Sequence, residues 1–161
     1  MNWNTCVLRV IFIGLLLELS GCHRYGPVAD AALDALRKVQ AKVQVGISED
    51  AYLSVVGDAN FAVQQYVNSK PPSAEKGFGD AVEGSLKWYK AAADVWSTEL
   101  HNVPDDYLAC TTGESLCEDY PELVMTDFVT DKREIQYKSA VQRAWALADT
   151  QLDKAVTARG K

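Results

Sequence analysis

Carboxylic acids are the residues of this chain whose types and spacing could do chemistry. No lysine or arginine occurs between Ala91 and Asp131, and the formal charge of this window is −10 in a chain of −6, so the remaining residues sum to +4. Such a separation of charge can attract a basic partner, a cationic peptide or a divalent ion. A solvated acidic loop that keeps the domain soluble explains the same pattern, and both interpretations stay open.

The candidate partner-binding residues are acids of the segment 101–127. They are Asp105, Asp106, Glu114, Glu118, Asp119 and Glu122. Calcium is not indicated, because the window lacks a D-x-[DN]-x-[DN]-G loop. Asp105 and Asp106 do not indicate an acid/base pair, because adjacent residues point in different directions whereas such a pair must face one substrate. We therefore assign no metal ligands within the segment.

Catalytic motifs are also missing from the sequence. It contains no G-x-S-x-G, H-E-x-x-H, P-loop, C-x-x-C-H or G-x-G-x-x-G pattern. The two histidines, His23 and His101, do not provide an acid/base pair, because His23 lies beside the start of the expected domain and His101 stands alone. An acidic chain is also a poor ligand for nucleic acid, since phosphate contacts need clustered Lys and Arg. We expect a protein that is not an enzyme, has no cofactor and does not bind nucleic acid.

A short apolar run followed by small residues and a cysteine stands near the start of the sequence. The run VIFIGLLL, residues 10–17, is too short to cross a hydrocarbon core, which needs about twenty apolar residues. Leu19-Ser20-Gly21-Cys22, which follows, resembles the lipobox of bacterial lipoproteins. The resemblance implies that residues 1–21 are removed as a signal peptide and that Cys22 becomes a lipidated N-terminus at the cell envelope. His23, where lipoproteins of the inner membrane typically carry Asp, favours the outer membrane and its periplasmic face.

The resemblance to lipoproteins also implies an oxidising compartment in which two cysteines remain to pair. Cys6 leaves with the signal peptide and Cys22 carries the lipid, so that Cys110 and Cys117 are left. A disulfide between them would contribute about 2 to 3 kcal/mol through the loop that it closes. A thiolate metal site with His101 is the alternative, and the lack of a C-x-x-C motif and of a second nearby histidine disfavours it.

The elements that must position these residues are predicted to be helices. Apolar residues recur with a 3.6-residue period in four stretches. The signals that delimit these stretches are Pro27, Gly46, a possible cap at Ser48 and the Pro71-Pro72 pair. The first two predicted helices cover residues 28–45 and 49–67. The third begins between residues 78 and 81 and ends at residue 100, and the fourth begins at Thr126 or Thr130 and ends at Ala158. No strand is expected, and Pro104 could begin a single helical turn.

These patterns predict an all-α fold, an antiparallel bundle of four main amphipathic helices with a disulfide-clipped crossover between the third and the fourth. Residues 22–27 form a short tether, and residues 28–161 form a single helical domain, a length that suits one core. At about 3.3 Å per extended residue the tether reaches less than about 20 Å, so the domain should lie against the bilayer.

Three functional hypotheses follow. The first is a non-catalytic, lipid-anchored adaptor that presents the acidic crossover 101–127 to another envelope protein with a basic surface. The second is a small-ligand or ion-binding bundle in which Trp88, Tyr89 and Trp96 line a pocket between helices. Their positions on a wide apolar arc of the third helix equally fit burial between two neighbouring helices. The third, a hydrolase, needs two carboxylates that converge across a cleft.

Overall fold

The computed structural model describes residues 26–101, 106–111, 115–127 and 131–160, which are mostly helical. Cys22 and the whole predicted signal peptide lie outside the described residues. The elements are helix α1 (Pro27–Val45), helix α2 (Glu49–Asn68), a 3₁₀ turn (Ser73–Glu75), helix α3 (Lys76–His101), strand β1 (Tyr107–Ala109), helix α4 (Ser115–Asp119), a 3₁₀ turn (Pro121–Leu123), strand β2 (Met125–Asp127), strand β3 (Lys132–Gln136) and helix α5 (Tyr137–Arg159).

Helices α1 and α2 form where the apolar period predicts them. Pro27 occupies the first helical position, where its missing N–H would have no helical partner in any case. Gly46 ends α1 with φ 87°, a conformation that suits glycine because it has no Cβ. Ser48 stands at the N-cap of α2, but its side chain makes no capping hydrogen bond; its backbone carbonyl accepts the first helical bond, from the Tyr52 N–H.

Helix α3 begins at Lys76, two residues before the predicted range. Gly77 and Gly79 lie inside its first turns, since a glycine costs a helix only about 1 kcal/mol relative to alanine. Phe78, Ala81 and Val82 are buried and favour the helix there. Gly79 also faces the Tyr66 ring, where an added Cβ would lie 3.5 Å from the ring carbon Cε1.

A small antiparallel sheet replaces the start of the predicted fourth helix, so the expectation that the fold has no strand was wrong, whereas the mostly helical fold was predicted correctly. The strands lie in the order β1-β3-β2, with Leu108 opposite Ile135 and Asp127 opposite Lys132. Helix α5 consequently begins at Tyr137, later than either predicted start. Strands of three to five residues are too short to show alternation, and in β3 Ile135 is the one fully buried side chain.

The core lies between the four long helices. Helix α3 packs most extensively on α5, and α1 packs on α2. Tyr66 near the end of α2 meets Phe78 near the start of α3, with ring centroids 5.3 Å apart. An ion pair between Arg159 and Asp30 joins the end of α5 to the start of α1. None of the helices in the described ranges has both the length and the apolar content to cross a membrane.

Candidate partner-binding surface

The segment 101–127, which we call the acidic crossover, is attached to the helices by buried side chains. A disulfide joins Cys110 to Cys117 with 5.7 Å between their Cα atoms, as the sequence predicted. Cys117 and Leu123 are buried, 6% and 1% exposed, so that both the disulfide and the 3₁₀ turn Pro121–Leu123 contact the core. The described part of the crossover is therefore held on a packed base.

The acids of the crossover point away from this base. Helix α4 is little more than one turn, so Cys117 faces inward while its neighbours Glu118 and Asp119 are exposed. The 3₁₀ turn repeats the arrangement, because Leu123 is buried and Glu122 is exposed. Asp106 is exposed as well, and its backbone oxygen accepts a 3.2 Å hydrogen bond from the Tyr137 N–H.

The predicted partner-binding residues thus divide into two groups. Asp106, Glu118, Asp119 and Glu122 lie on the surface, whereas Asp105 and Glu114 fall outside the described residues. Among the described residues, none of the ion pairs involves any of the four exposed acids. The pairs are Asp34 with Arg37, Lys38 with Asp58, Lys76 with Asp80, and Asp30 with Arg159.

Tyr120 fastens the crossover to the side of α3. Its hydroxyl donates a 2.8 Å hydrogen bond to Asp94 Oδ2, and its ring lies 6.4 Å from the Trp88 ring, centroid to centroid. Burial, followed by the hydrogen bond to Asp94 and the charge of Asp94, raises the pKa of Tyr120. Asp94, one of the ten acids of the charged window, therefore has an internal structural partner.

Trp88, Tyr89 and Trp96 do not share one pocket. Trp88 contacts Tyr120 and lies under the Lys87 ammonium, 4.8 Å from the ring centroid. Tyr89 is fully buried, and its hydroxyl donates a 2.9 Å hydrogen bond to Asp149 Oδ1. Burial, then this hydrogen bond, raises the pKa of Tyr89. Trp96 lies two turns after Tyr89 along α3, beside α5, where it is half-buried.

A groove of about 360 Å³ lies between the end of α3 and the start of α5. Its lining residues are Trp96, Glu99, Lys138, Val141, Gln142 and Trp145. The two indole rings are 5.9 Å apart and nearly perpendicular, at 71°. The apolar period places Trp145 on the apolar face of the last helix but does not predict this contact, because pairing of rings from two helices depends on how far one helix is shifted along the other.

The described residues contain no group of three or more His, Cys, Asp or Glu side chains placed to hold a metal ion. His101, the alternative metal ligand, has a side chain outside the described set. Comparison of the chain with protein-family models, with curated proteins and with solved structures finds no significant match in any of the three.

Proposed function

We propose that this protein is a non-catalytic, lipid-anchored adaptor of the cell envelope that presents its acidic crossover to another envelope protein with a basic surface. The observation that carries the proposal is the outward display of Glu118, Asp119 and Glu122 from a base that the disulfide and Leu123 attach to the core. A segment that is already held on a packed base loses little loop entropy when a partner binds, which favours association. A solvated loop would serve solubility without such a base.

Electrostatics determine which partner such a surface fits. The four exposed acids Asp106, Glu118, Asp119 and Glu122 take part in none of the ion pairs seen in the described ranges. A basic surface would meet charges that need not first break an internal bond. Complementary charge mainly raises the association rate and selects the partner, so we expect binding that weakens as the salt concentration rises.

The adaptor is anchored, in this proposal, through a lipid on Cys22 at the periplasmic face of the outer membrane. The support is the match of residues 19–22 to a lipobox together with the preceding apolar run. The non-catalytic role is supported by the lack of the catalytic motifs named above.

The four long helices α1, α2, α3 and α5 form one antiparallel bundle in this proposal. Contacts between α2 and α3 support it, because Tyr66 meets Phe78 whereas the earlier Tyr52 meets the later Trp96. Contacts between α3 and α5 run in the same opposed order: Tyr89 reaches Asp149, and Trp96 reaches the earlier Trp145. The Asp30–Arg159 pair places the start of α1 beside the end of α5.

Photo-crosslinking in intact cells tests the adaptor function. A photoreactive residue at Asp119 should capture one defined envelope protein, and the same residue at Asp153, exposed on α5, should not. Glu118→Lys combined with Glu122→Lys should abolish the capture, whereas Lys154→Glu combined with Asp153→Lys, a charge exchange elsewhere on the surface, should leave it intact. Equal capture from Asp119 and Asp153 would contradict the proposal.

The groove between Trp96 and Trp145 favours a second function, small-ligand binding. Two indole rings line it, together with one acidic and one basic residue, Glu99 and Lys138. Trp145 is held in place, because its Nε1–H donates a 3.0 Å hydrogen bond to the Tyr52 hydroxyl. A screen of small zwitterionic compounds by tryptophan fluorescence tests this function, and Trp145→Phe should remove the response of any compound that binds there.

A further inference from the structure

One end of the fold gathers the start of α1, the connection between α2 and α3, and the end of α5. We call it the tether end. Gly26 and Val28 border the same crevice as Lys70 and Pro72 of the connection. The ion pair between Asp30 and Arg159 brings the last turn of α5 to this end as well.

The opposite end of the fold holds the connection between α1 and α2, the end of α3 and the three-stranded sheet. Tyr52 in the first turn of α2 contacts Trp96 near the end of α3, and Asp106 beside β1 bonds to Tyr137 at the start of α5. Helix α3 runs from the tether end to this far end. Its 26 residues give it a length of about 39 Å at about 1.5 Å per residue.

The chain between Cys22 and α1 is so short that a lipid on Cys22 determines which end of the fold lies beside the membrane. Gly26 is four residues after Cys22, and four residues of extended chain span at most about 14 Å. A lipid on Cys22 therefore holds Gly26 within about 14 Å of the membrane surface, which is far less than the length of α3.

We infer that the tether end of the fold lies against a phospholipid bilayer and that the sheet faces away from it, with the exposed acids of the crossover held to the side of the bundle, where Tyr120 contacts Trp88 near the middle of α3. The inference rests on the proposed lipidation of Cys22. It adds to that proposal the surface that contacts the lipid and the direction in which the acids are presented.

Charge agrees with this orientation. The connection between α2 and α3 exposes Lys70 and Lys76 on either side of the Pro71-Pro72 pair. Lys76 forms an exposed ion pair with Asp80, and Lys70 takes part in none of the ion pairs among the described residues. Lysine side chains at the tether end would meet the phosphates of anionic lipids, whereas the same lipids would repel Glu118 and Asp119 of the crossover.

Two labelling positions on the full-length lipidated protein test the inference. Benzoylphenylalanine is placed at Ser73, which is exposed at the tether end, or at Tyr107, which is exposed on β1 at the far end. Each protein is reconstituted into vesicles of phosphatidylethanolamine and phosphatidylglycerol and irradiated, and lipid adducts are measured by mass spectrometry. We expect a several-fold higher yield of lipid adducts from Ser73 than from Tyr107.

A longer tether provides the matched control. Inserting about thirty Gly/Ser residues between Tyr25 and Gly26 gives a flexible linker with a root-mean-square length of about 30 Å, which releases the domain from the surface. Co-flotation with vesicles should be unchanged, while the adduct yield at Ser73 should fall to that at Tyr107.

The outcomes separate this inference from the proposed function. Failure of the wild-type protein to co-float with vesicles, or co-flotation that Cys22→Ser leaves intact, would overturn the lipid anchor and the orientation with it. Lipid-dependent co-flotation with equal labelling at the two positions, with more lipid on Tyr107, or with a second copy of the chain trapped at Ser73 in place of lipid, would overturn the orientation alone.

Discussion

The hydroxyl of Tyr52 joins three helices and provides the sharpest test of how the core is assembled. It donates a 2.8 Å hydrogen bond to the backbone oxygen of Tyr89 in α3 and accepts a 3.0 Å hydrogen bond from Nε1–H of Trp145 in α5. Tyr52 itself is fully buried in α2. The variant Tyr52→Phe removes this hydroxyl and keeps the ring.

The expected cost follows from the two hydrogen bonds. Each typically contributes about 1 kcal/mol net, so their loss should lower the free energy of unfolding by about 2 kcal/mol. A fully buried donor left without a partner would add a further penalty of about 1 to 3 kcal/mol. The Trp145 Nε1–H is the donor that would lose its acceptor, so the total loss should lie between about 2 and 5 kcal/mol. The ring contacts of Tyr52 with Trp96 and Trp145 remain in the phenylalanine variant.

Urea denaturation followed by far-ultraviolet circular dichroism measures the effect. The control is Tyr107→Phe, which removes the same hydroxyl from a ring that is 48% exposed on β1. We expect the control to change the free energy of unfolding by less than about 0.5 kcal/mol, as is usual for surface substitutions. Equal stabilities of the two variants would refute the bridging role of the Tyr52 hydroxyl.

Three further perturbations test other parts of the fold. Burial raises the pKa values of Tyr52 and Tyr89 above the ordinary value of about 10, so the unfolded chain releases these protons at a lower pH than the folded protein does. The free energy of unfolding should therefore be constant below about pH 10 and should fall above it by about 1.4 kcal/mol per pH unit for each tyrosine. Unfolding free energies at rising pH, compared with phenolate absorbance, check this expectation, and phenolate forming near pH 10 in the still-folded protein would contradict it. Cys110→Ser should lower the free energy of unfolding by about 2.5 kcal/mol through loss of the disulfide loop, and urea denaturation of the wild type with and without reductant should give the same difference. Gly46→Ala should cost about 1 kcal/mol or more because its φ is 87°, whereas Gly57→Ala, in a helix with no atom near the added Cβ, should stabilise by up to about 1 kcal/mol in the same assay.

The apolar period predicts α1 and α2 to within a residue because each helix buries one continuous stripe. Leu33, Leu36 and Val39 of α1 are fully buried, and so are Tyr52, Ala59 and Val63 of α2 at the same kind of spacing. A stripe of this length outweighs local preferences, since burial of each large apolar side chain contributes about 1.5 to 3 kcal/mol. Helix boundaries could therefore be predicted wherever a proline or glycine coincides with the end of a stripe.

The sheet could not be predicted because its stability comes from tertiary packing. Residues 132–136 bury Ile135 as their one fully buried side chain, so the segment lacks the apolar–polar alternation that would mark a strand. Pairing with β1 and β2 makes this segment a strand. Strand β1 is distant in sequence, and β2 is reached through a turn that contains Asp131, whose φ is 54°. A positive φ at a non-glycine residue has no clear sequence signal beyond a mild preference of aspartate for it.

The candidate site, like the fold, could be predicted from the sequence only in part. Exposure of Glu118 and Glu122 could be predicted from their type, since glutamate is almost never fully buried without a partner. The contact of Tyr120 with Trp88, and that of Trp96 with Trp145, could not, because each joins side chains from separate elements. The sequence identifies which residues are aromatic, whereas the alignment of α3 against its neighbours determines which rings meet.

The fold also redistributes the charge that the sequence separates. Strand pairing sets Lys132 opposite Asp127, so the acid at the end of the crossover has a cation as its cross-strand neighbour. Asp94 accepts its hydrogen bond from Tyr120 and serves the attachment of the crossover. Among the described acids of the crossover, those that remain exposed to a partner are Asp106 and, on helix α4 and the 3₁₀ turn Pro121–Leu123, Glu118, Asp119 and Glu122. A basic partner that recognises this protein should for this reason be sensitive to charge reversal at those acids and much less sensitive to substitution of Asp127, although the sequence gives all of them the same formal charge.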